Sequence, residues 1–360
     1  MENLKNKVHR QLDRIKNMMR ESGKNPIILL WHIVRLQYKR RFYLTEIHDY
    51  ELDKRGEEYE KSFLNWEEQK KYLELLNPRK YYSLARNKYV THLILEYAGI
   101  KNKPTLLCYY NPEFGLGSDR IGTDLKQVIQ ILKKKGLESF VVKTTESSHG
   151  DNVWVIKKIV FQNDDALLQR FDEEQIKLSD LLKKEPLIFE SVINQTRQMS
   201  KLNESSVNTV RFMTVLLPEG NAKTIAAFMK IGRAGSCVDN AGSGGNVDAA
   251  VDVKTGRLYN AMEFNGWRNT RYITNHPDSK AVIEGMVIKN WDSVKNEVEN
   301  FQRCLPYVKA AGWDIAITPD GPIIIEVNDM WDRTGQFFIG RGWKQEIEEC
   351  YNAWKEYYNK

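Results

Sequence analysis

Hydrophobic positions recur along this chain with two different periods. Through about residue 76 they stand at helical spacing in polar, charged text, as at Leu4, Val8, Leu12 and Ile15, and no alternating segment interrupts them. Helices are therefore predicted up to Asn77-Pro78, which ends the region. Another helix is predicted over 87–98, with Tyr89, Leu93 and Tyr97 on one stripe, Lys88 in its first turn and Gly99 as its stop. Beyond it the text turns to strands. One is predicted over 105–110, followed by a loop with Gly115 and Gly117. A helix comes next, its Leu125, Val128, Ile129 and Leu132 repeating at i, i+3, i+4 and i+7, with Thr123 as N-cap and Gly136 as stop. Strands are predicted over 140–143, 153–156, 187–193, 207–217, 224–231 and 247–252. A turn at Thr255-Gly256, a helix over 292–308 and an amphipathic closing helix over 343–358 complete the pattern.

The most informative stretch runs from Trp313 to Asn328. Pro319-Asp320-Gly321 between two β-branched apolar runs signals a hairpin. Taken as a three-residue connection with Gly321 at the left-handed position, it pairs Thr318 with Pro322 and sets Asp314 opposite Glu326, with Asn328 on the same face. Ile315, Ile317, Ile323, Ile325 and Val327 then share the core face. Carboxylates facing each other across a ladder repel. A hard divalent cation would relieve this, since Mg²⁺ takes one or two carboxylates with water and phosphate oxygens, and an Asn carbonyl can be a neutral ligand. The alternative is a solvated face, although such a face more often sets Lys opposite Glu.

Size and charge change the picture modestly. A chain of 360 residues can divide into two or three units, because single cores stop growing near roughly 250–300 residues. The net charge of +6 favours anionic ligands or surfaces without arguing for nucleic acid, and none is expected as a partner. Cys108, Cys237, Cys304 and Cys350 lie far apart without metal-ligand spacing and read as reduced thiols of a cytoplasmic protein. No signal-peptide pattern opens the sequence, and no apolar run approaches the ~18 residues that span a bilayer. The nearest run, residues 27–34, is followed by Arg35, Lys39, Arg40 and Arg41, and residues 1–45 hold eleven Lys/Arg against three Asp/Glu. Such a segment could lie peripherally on an anionic membrane surface or pack on its own domain.

Other candidate chemistry is scattered between these elements. Residues 144–152 form a small-residue loop between strands, whose N–H groups and hydroxyls, with Lys143 at the edge, suit a nucleoside triphosphate. Glu190 is a carboxylate in a buried-looking strand. Arg211 stands mid-strand, and Lys230 and Arg233 stand at the end of the next long strand, so each needs an anionic partner from protein or ligand. The glycine-rich run 240–246 permits a mobile loop or close backbone approach to a ligand.

In this order the pieces resemble the ATP-grasp superfamily, most closely its sugar-transfer-associated branch, over roughly residues 87–341. Gly312-Trp313-Asp314-Ile315 with Ile325-Glu326-Val327-Asn328 match the family's metal-binding Asp and Glu-x-Asn. Val207-Asn208-Thr209-Val210-Arg211 with Gly242-Ser243-Gly244-Gly245 looks like this branch in particular. The resemblance implies an α+β fold in which two subdomains clamp ATP: a helical, basic region over 1–86, a smaller subdomain over 87–190 with the nucleotide loop and hinge, a second over 191–342 with the metal site, and a closing helix over 343–360. It implies that Lys88 and Lys143 contact the phosphates beneath a flexible loop containing Ser147, Ser148, His149 and Gly150. It also implies that residues 188–192 form the adenine hinge, with Glu190 for polar contacts. Arg211 and Arg233 would steady phosphate and the reacting carboxylate, Asn240 would stand where acceptor and phosphoryl group meet, and Asp314, Glu326 and Asn328 would hold one or two Mg²⁺. One departure is visible: members usually begin with an α/β domain, whereas this chain begins with basic helices.

The activity so implied is an ATP- and Mg²⁺-dependent carboxylate-amine ligase that makes an amide through an acyl phosphate. The branch's name points to capsular or surface polysaccharide, with a sugar acid joined to an amino compound. A phosphotransferase acting on a hydroxyl would use the same nucleotide groups, and a nucleotide-binding protein without turnover is a third reading.

Overall fold

The computed structural model describes residues 2–146, 152–182, 185–236 and 246–360. Five helices come first, α1 (Glu2–Glu21), α2 (Pro26–Arg40), α3 (Leu44–Asp49), α4 (Glu57–Ser62) and α5 (Trp66–Leu76), then α6 (Ser83–Arg86) and α7 (Lys88–Tyr97). The caps explain several boundaries. Asn65 and Glu68 form a reciprocal capping box at α5, and the Asn87 side chain accepts from the N–H groups of Tyr89 and Val90 to start α7. Within α7 the predicted stripe is not the buried one. Thr91, His92 and Leu95 face inward, while Leu93 is exposed and Tyr97 is 96% exposed, because the elements packed on a helix choose its inner face and propensity does not.

The next elements are β1 (Leu106–Tyr110), β2 (Ile121–Gly122), α8 (Leu125–Lys135), β3 (Phe140–Thr144), β4 (Val153–Phe161), β5 (Ala166–Arg170), β6 (Gln175–Lys177), α9 (Leu178–Leu181) and β7 (Leu187–Glu190). Asp124, not Thr123, caps α8, its carboxylate accepting from Gln127 N at 2.8 Å, while Gly136 ends the helix in the left-handed region as expected. Strands β5 and β6 carry no signal that was read from the sequence. Among the described residues the strands form a sheet in the order β2-β1-β7-β3-β4-β5-β6, antiparallel except for the β1–β2 pair.

The second half contains α10 (Arg197–Ser200), β8 (Thr209–Leu216), β9 (Ala222–Ile231), β10 (Val247–Val251), β11 (Leu258–Phe264), β12 (Thr270–Tyr272), α11 (Trp291–Cys304), β13 (Ala310–Thr318), β14 (Gly321–Asn328), α12 (Thr334–Ile339) and α13 (Lys344–Tyr358). Helix α11 stops at Cys304, four residues before the predicted end. The next residue, Leu305, precedes Pro306, whose ring disfavours helical geometry in the residue before it. Strands β12-β11-β10-β9-β8-β13-β14 make an all-antiparallel sheet.

Each sheet has its own core, and the second has one on each face. Leu107, Val128, Phe140, Val142, Leu168 and Phe189 pack together on the first sheet. On one face of the second, Phe212, Met229, Trp291, Phe301, Trp313 and Ile315 pack under α11. On its other face Met213, Val215 and Phe228 join Leu29, Ile33 and Leu36 of α2, Leu73 of α5, and Trp343 and Ile347 at the C-terminal end. The N-terminal helices therefore complete a core that the second sheet could not close alone. Polar ties reinforce it. The Arg268 side chain, 3% exposed, makes two bonds of 2.9 Å to buried Asp53 and one of 2.8 Å to Glu21. Gly342 N donates to Ser62 Oγ at 2.9 Å, and a Cβ at Gly342 would meet the Ser62 carbonyl oxygen at 1.8 Å, so the two segments touch where only glycine fits.

Candidate nucleotide and metal site

The β13–β14 hairpin is tighter than expected at its turn and keeps the expected facing of Asp314 and Glu326. Thr318 pairs with Gly321 and Ile317 with Pro322, so the connection is the two residues Pro319-Asp320, with Gly321 at φ +115°. A register shift between Asp314 and Ile315 then restores the other count, and Asp314 faces Glu326. The bulge moves Ile324 into the core, where Ile323 was expected, and leaves Ile323 and Ile325 half-buried.

Repulsion between the two carboxylates is answered by protein cations. Strand β8 pairs on the other side of β13 with Arg211 opposite Asp314, and the Arg211 fork grips the carboxylate from Nε at 2.5 Å and Nη2 at 2.7 Å. Lys230 of β9 approaches the same Oδ1 at 3.2 Å. Burial alone would push the Asp314 carboxyl up, but Arg211 and Lys230 overcome it and hold it down at about 2. Burial works against the Arg211 charge, and Asp314, with Glu326 and Asp332 behind it, raises its pKa above the usual value all the same.

Glu326 is placed differently. Its side chain is 28% exposed against 4% for Asp314, and its contact is with Lys88 Nζ at 3.5 Å. Lys88 opens α7, whose Leu95 packs into the second sheet's core. Its backbone N–H donates to Thr145 O at 2.9 Å, which fixes the start of α7 to the end of β3. Two residues before Thr145, Lys143 bonds Glu190 at 2.8 Å between the neighbouring strands β3 and β7, both side chains being buried. Lys88, Lys143 and Glu190 thus lie around the end of the first sheet, and Lys88 reaches the hairpin of the second.

Arg233 belongs to a separate cluster. It binds Asp278 through Nε and Nη2, both at 2.8 Å, and Glu263 through Nη1 at 2.8 Å, while Arg271 also holds Glu263. The hydrogen bonds with Asp278 raise the Arg233 pKa and pull that of Asp278 well below the carboxylate range. Ser147, Ser148, His149, Gly150, Asn240, Gly244, Gly245 and Cys237 lie outside the described residues. Two residues beside the site were not singled out from the sequence: Asp329, which is buried and gripped by Arg86 at 2.8 and 2.9 Å, and Asn77, which donates to the carbonyls of Ala310 and Asp329. An acid directly after Glu-Val-Asn was the available signal for Asp329.

The family model for sugar-transfer associated ATP-grasp proteins matches residues 67–351. This chain belongs to that family. The family match begins within α5, so most of the N-terminal helical region lies outside it. Among solved structures, D-alanine–D-alanine ligase from Bacillus anthracis is similar at 16% identity and a TM-score of 0.39, over 76% of this chain and 70% of that one. Phosphoribosylamine–glycine ligase from Thermotoga maritima is similar at 12% identity and a TM-score of 0.45, over 78% and 57%. For an N5-carboxyaminoimidazole ribonucleotide synthetase in its ADP complex the values are 14% and 0.40, and this chain spans about half of that protein, 52%. The comparison with curated proteins finds no match.

The donor set of this ATP-grasp hairpin fits a cation that arrives with its own oxygen ligands. Asp314 Oδ1 already accepts from Arg211 and Lys230, and Oδ2 from Arg211, which leaves Oδ2 one lone pair. Glu326 offers a carboxylate, and Asn328, whose Nδ2 donates to Gly312 O at 3.3 Å, offers its amide oxygen. Among the described residues no three His, Cys, Asp or Glu side chains gather into a cage. Two carboxylates and an amide are too few to hold Mg²⁺ without further oxygens, and phosphates commonly supply them.

Proposed function

We propose that this ATP-grasp protein is an ATP-dependent carboxylate-amine ligase whose nucleotide lies between the first sheet and the β13–β14 hairpin. The observation that carries the reading is the Lys88–Glu326 contact, which sets a cation suited to phosphate against a carboxylate suited to a divalent ion. Lys88 and Lys143 bind the phosphates, Lys143 exchanging Glu190 for an anion. Glu326, Asn328 and the remaining lone pair of Asp314 Oδ2 would hold Mg²⁺, which would neutralise phosphate charge. Asp314 orients Arg211, and Arg211 with Arg233 steadies the carboxylate substrate and the transferred phosphoryl group. The carboxylate oxygen takes the γ-phosphoryl group, with cleavage of its bond to ADP. The amine nitrogen then attacks the acyl carbon, losing a proton as phosphate leaves. Residues 147–150 and Asn240 complete the site in this reading, covering the phosphates and meeting the acceptor. The substrates are a sugar acid and an amino compound of surface polysaccharide, and the reaction is cytoplasmic, where ATP is made.

Incubation with ATP, Mg²⁺ and paired uronic acids and amines, read by mass spectrometry, tests the chemistry. An amide with one free phosphate per ADP is expected only when acid and amine are both present. Phosphate retained on a hydroxyl product would replace the ligase with a phosphotransferase. Glu326→Gln is expected to remove ATP turnover while leaving the fold intact, and unchanged turnover would discard the metal assignment.

A further inference from the structure

Helix α2 is apolar on two opposite sides. Leu29, Ile33 and Leu36 form the side packed into the core. Ile27, Trp31, Val34 and Tyr38, at i, i+4, i+7 and i+11, form a straight stripe about 16 Å long on the outside. They are 76%, 71%, 59% and 89% exposed. Ile28 and Leu30 flank the stripe and are exposed too, as are Val8 and Leu12 of α1. A continuous apolar helix side is normally covered, so this outer side calls for a covering surface.

The surrounding charge identifies the cover. No Asp or Glu occurs between Glu21 and Glu46, whereas Lys24, Arg35, Lys39, Arg40 and Arg41 do. Residues 1–45 carry eleven Lys/Arg and three Asp/Glu, and the rest of the chain carries 43 against 45, so the positive excess of the protein lies in its first 45 residues. Beside the stripe Glu60 pairs with Arg35 and His32, while Lys39, Arg40 and Arg41 follow at its C-terminal end. Tryptophan and tyrosine beside cations are the side chains that lie well at a lipid–water boundary. A second copy fits poorly, since it would bring Lys39, Arg40 and Arg41 against the same three cations. A membrane span is excluded for the described helices, none of which is long and apolar enough.

We infer that α2 docks the protein on an anionic lipid bilayer, lying in the interface plane with Ile27, Trp31, Val34 and Tyr38 at the acyl boundary and Lys39, Arg40 and Arg41 among the lipid phosphates. The inference is independent of the ligase chemistry. Sedimentation of the full chain with vesicles of phosphatidylcholine containing about one-third phosphatidylglycerol tests it. Binding is expected, weakened at least tenfold on pure phosphatidylcholine. Lys39→Gln with Arg41→Gln should weaken it roughly thirtyfold, from about fivefold per cation at the surface. Trp31→Ser with Val34→Ser should abolish it without moving the thermal midpoint or any ATP turnover, because both side chains are exposed. No binding to the anionic vesicles, or binding unchanged by Trp31→Ser/Val34→Ser, would overturn the proposal. So would a lipid-free dimer, seen by analytical ultracentrifugation, that this double variant dissolves.

Discussion

Replacing Asp314 by asparagine separates its part in the fold from its part as a ligand. The buried carboxylate accepts two charge-assisted bonds from Arg211 and stands 3.2 Å from Lys230. Asparagine keeps the shape and loses the charge, so two cations are left sharing a buried site. Removing one partner of a buried pair costs about 3–5 kcal/mol, and the remaining amide acceptor returns about 1 kcal/mol. A net loss of about 2–4 kcal/mol is expected. Glu326→Gln touches a more exposed group with one 3.5 Å contact and should cost about 0–1 kcal/mol. Urea unfolding at neutral pH, followed by tryptophan fluorescence, measures both, because Trp313 is fully buried beside Asp314. If repulsion between Asp314 and Glu326 governed the hairpin, Asp314→Asn would instead stabilise it. A variant within about 0.5 kcal/mol of the parent, or more stable, would refute the ion-pair account.

Two further outcomes follow from the same electrostatics. Asp314 is held at about 2 against its ordinary 3.8, so its contribution of about 2 kcal/mol is complete above pH 4 and fades as pH falls toward 2. The stability gap between the parent and Asp314→Asn should therefore narrow over that window, and a gap constant with pH would contradict the assignment. Arg268→Met leaves buried Asp53 without its fork and should loosen α1 to α3 from the second sheet, at a cost of about 3–5 kcal/mol. Hydrogen exchange would show faster exchange there, and equal protection of residues 6–50 would mean that Arg268 does not hold them.

The sequence by itself determined what short range decides. Helical periodicity, the Gly136 stop and the Pro-Asp-Gly turn lie within a few residues of the elements they shape, and they located the helices, most long strands and the facing of Asp314 and Glu326. Even there the turn differs from its Pro-Asp-Gly signal, since a two-residue connection and a bulge together give the count of a three-residue loop. Tertiary structure decided which charge neutralises Asp314. Arg211 lies 103 residues away in the chain, and only the pairing of β8 with β13 makes the two neighbours. It also decided that the N-terminal helices complete the second sheet's core, which inner face α7 uses, and which side of α2 is left uncovered. Those outcomes depend on contacts between distant segments, and a local pattern specifies that a face is apolar without specifying what will lie against it.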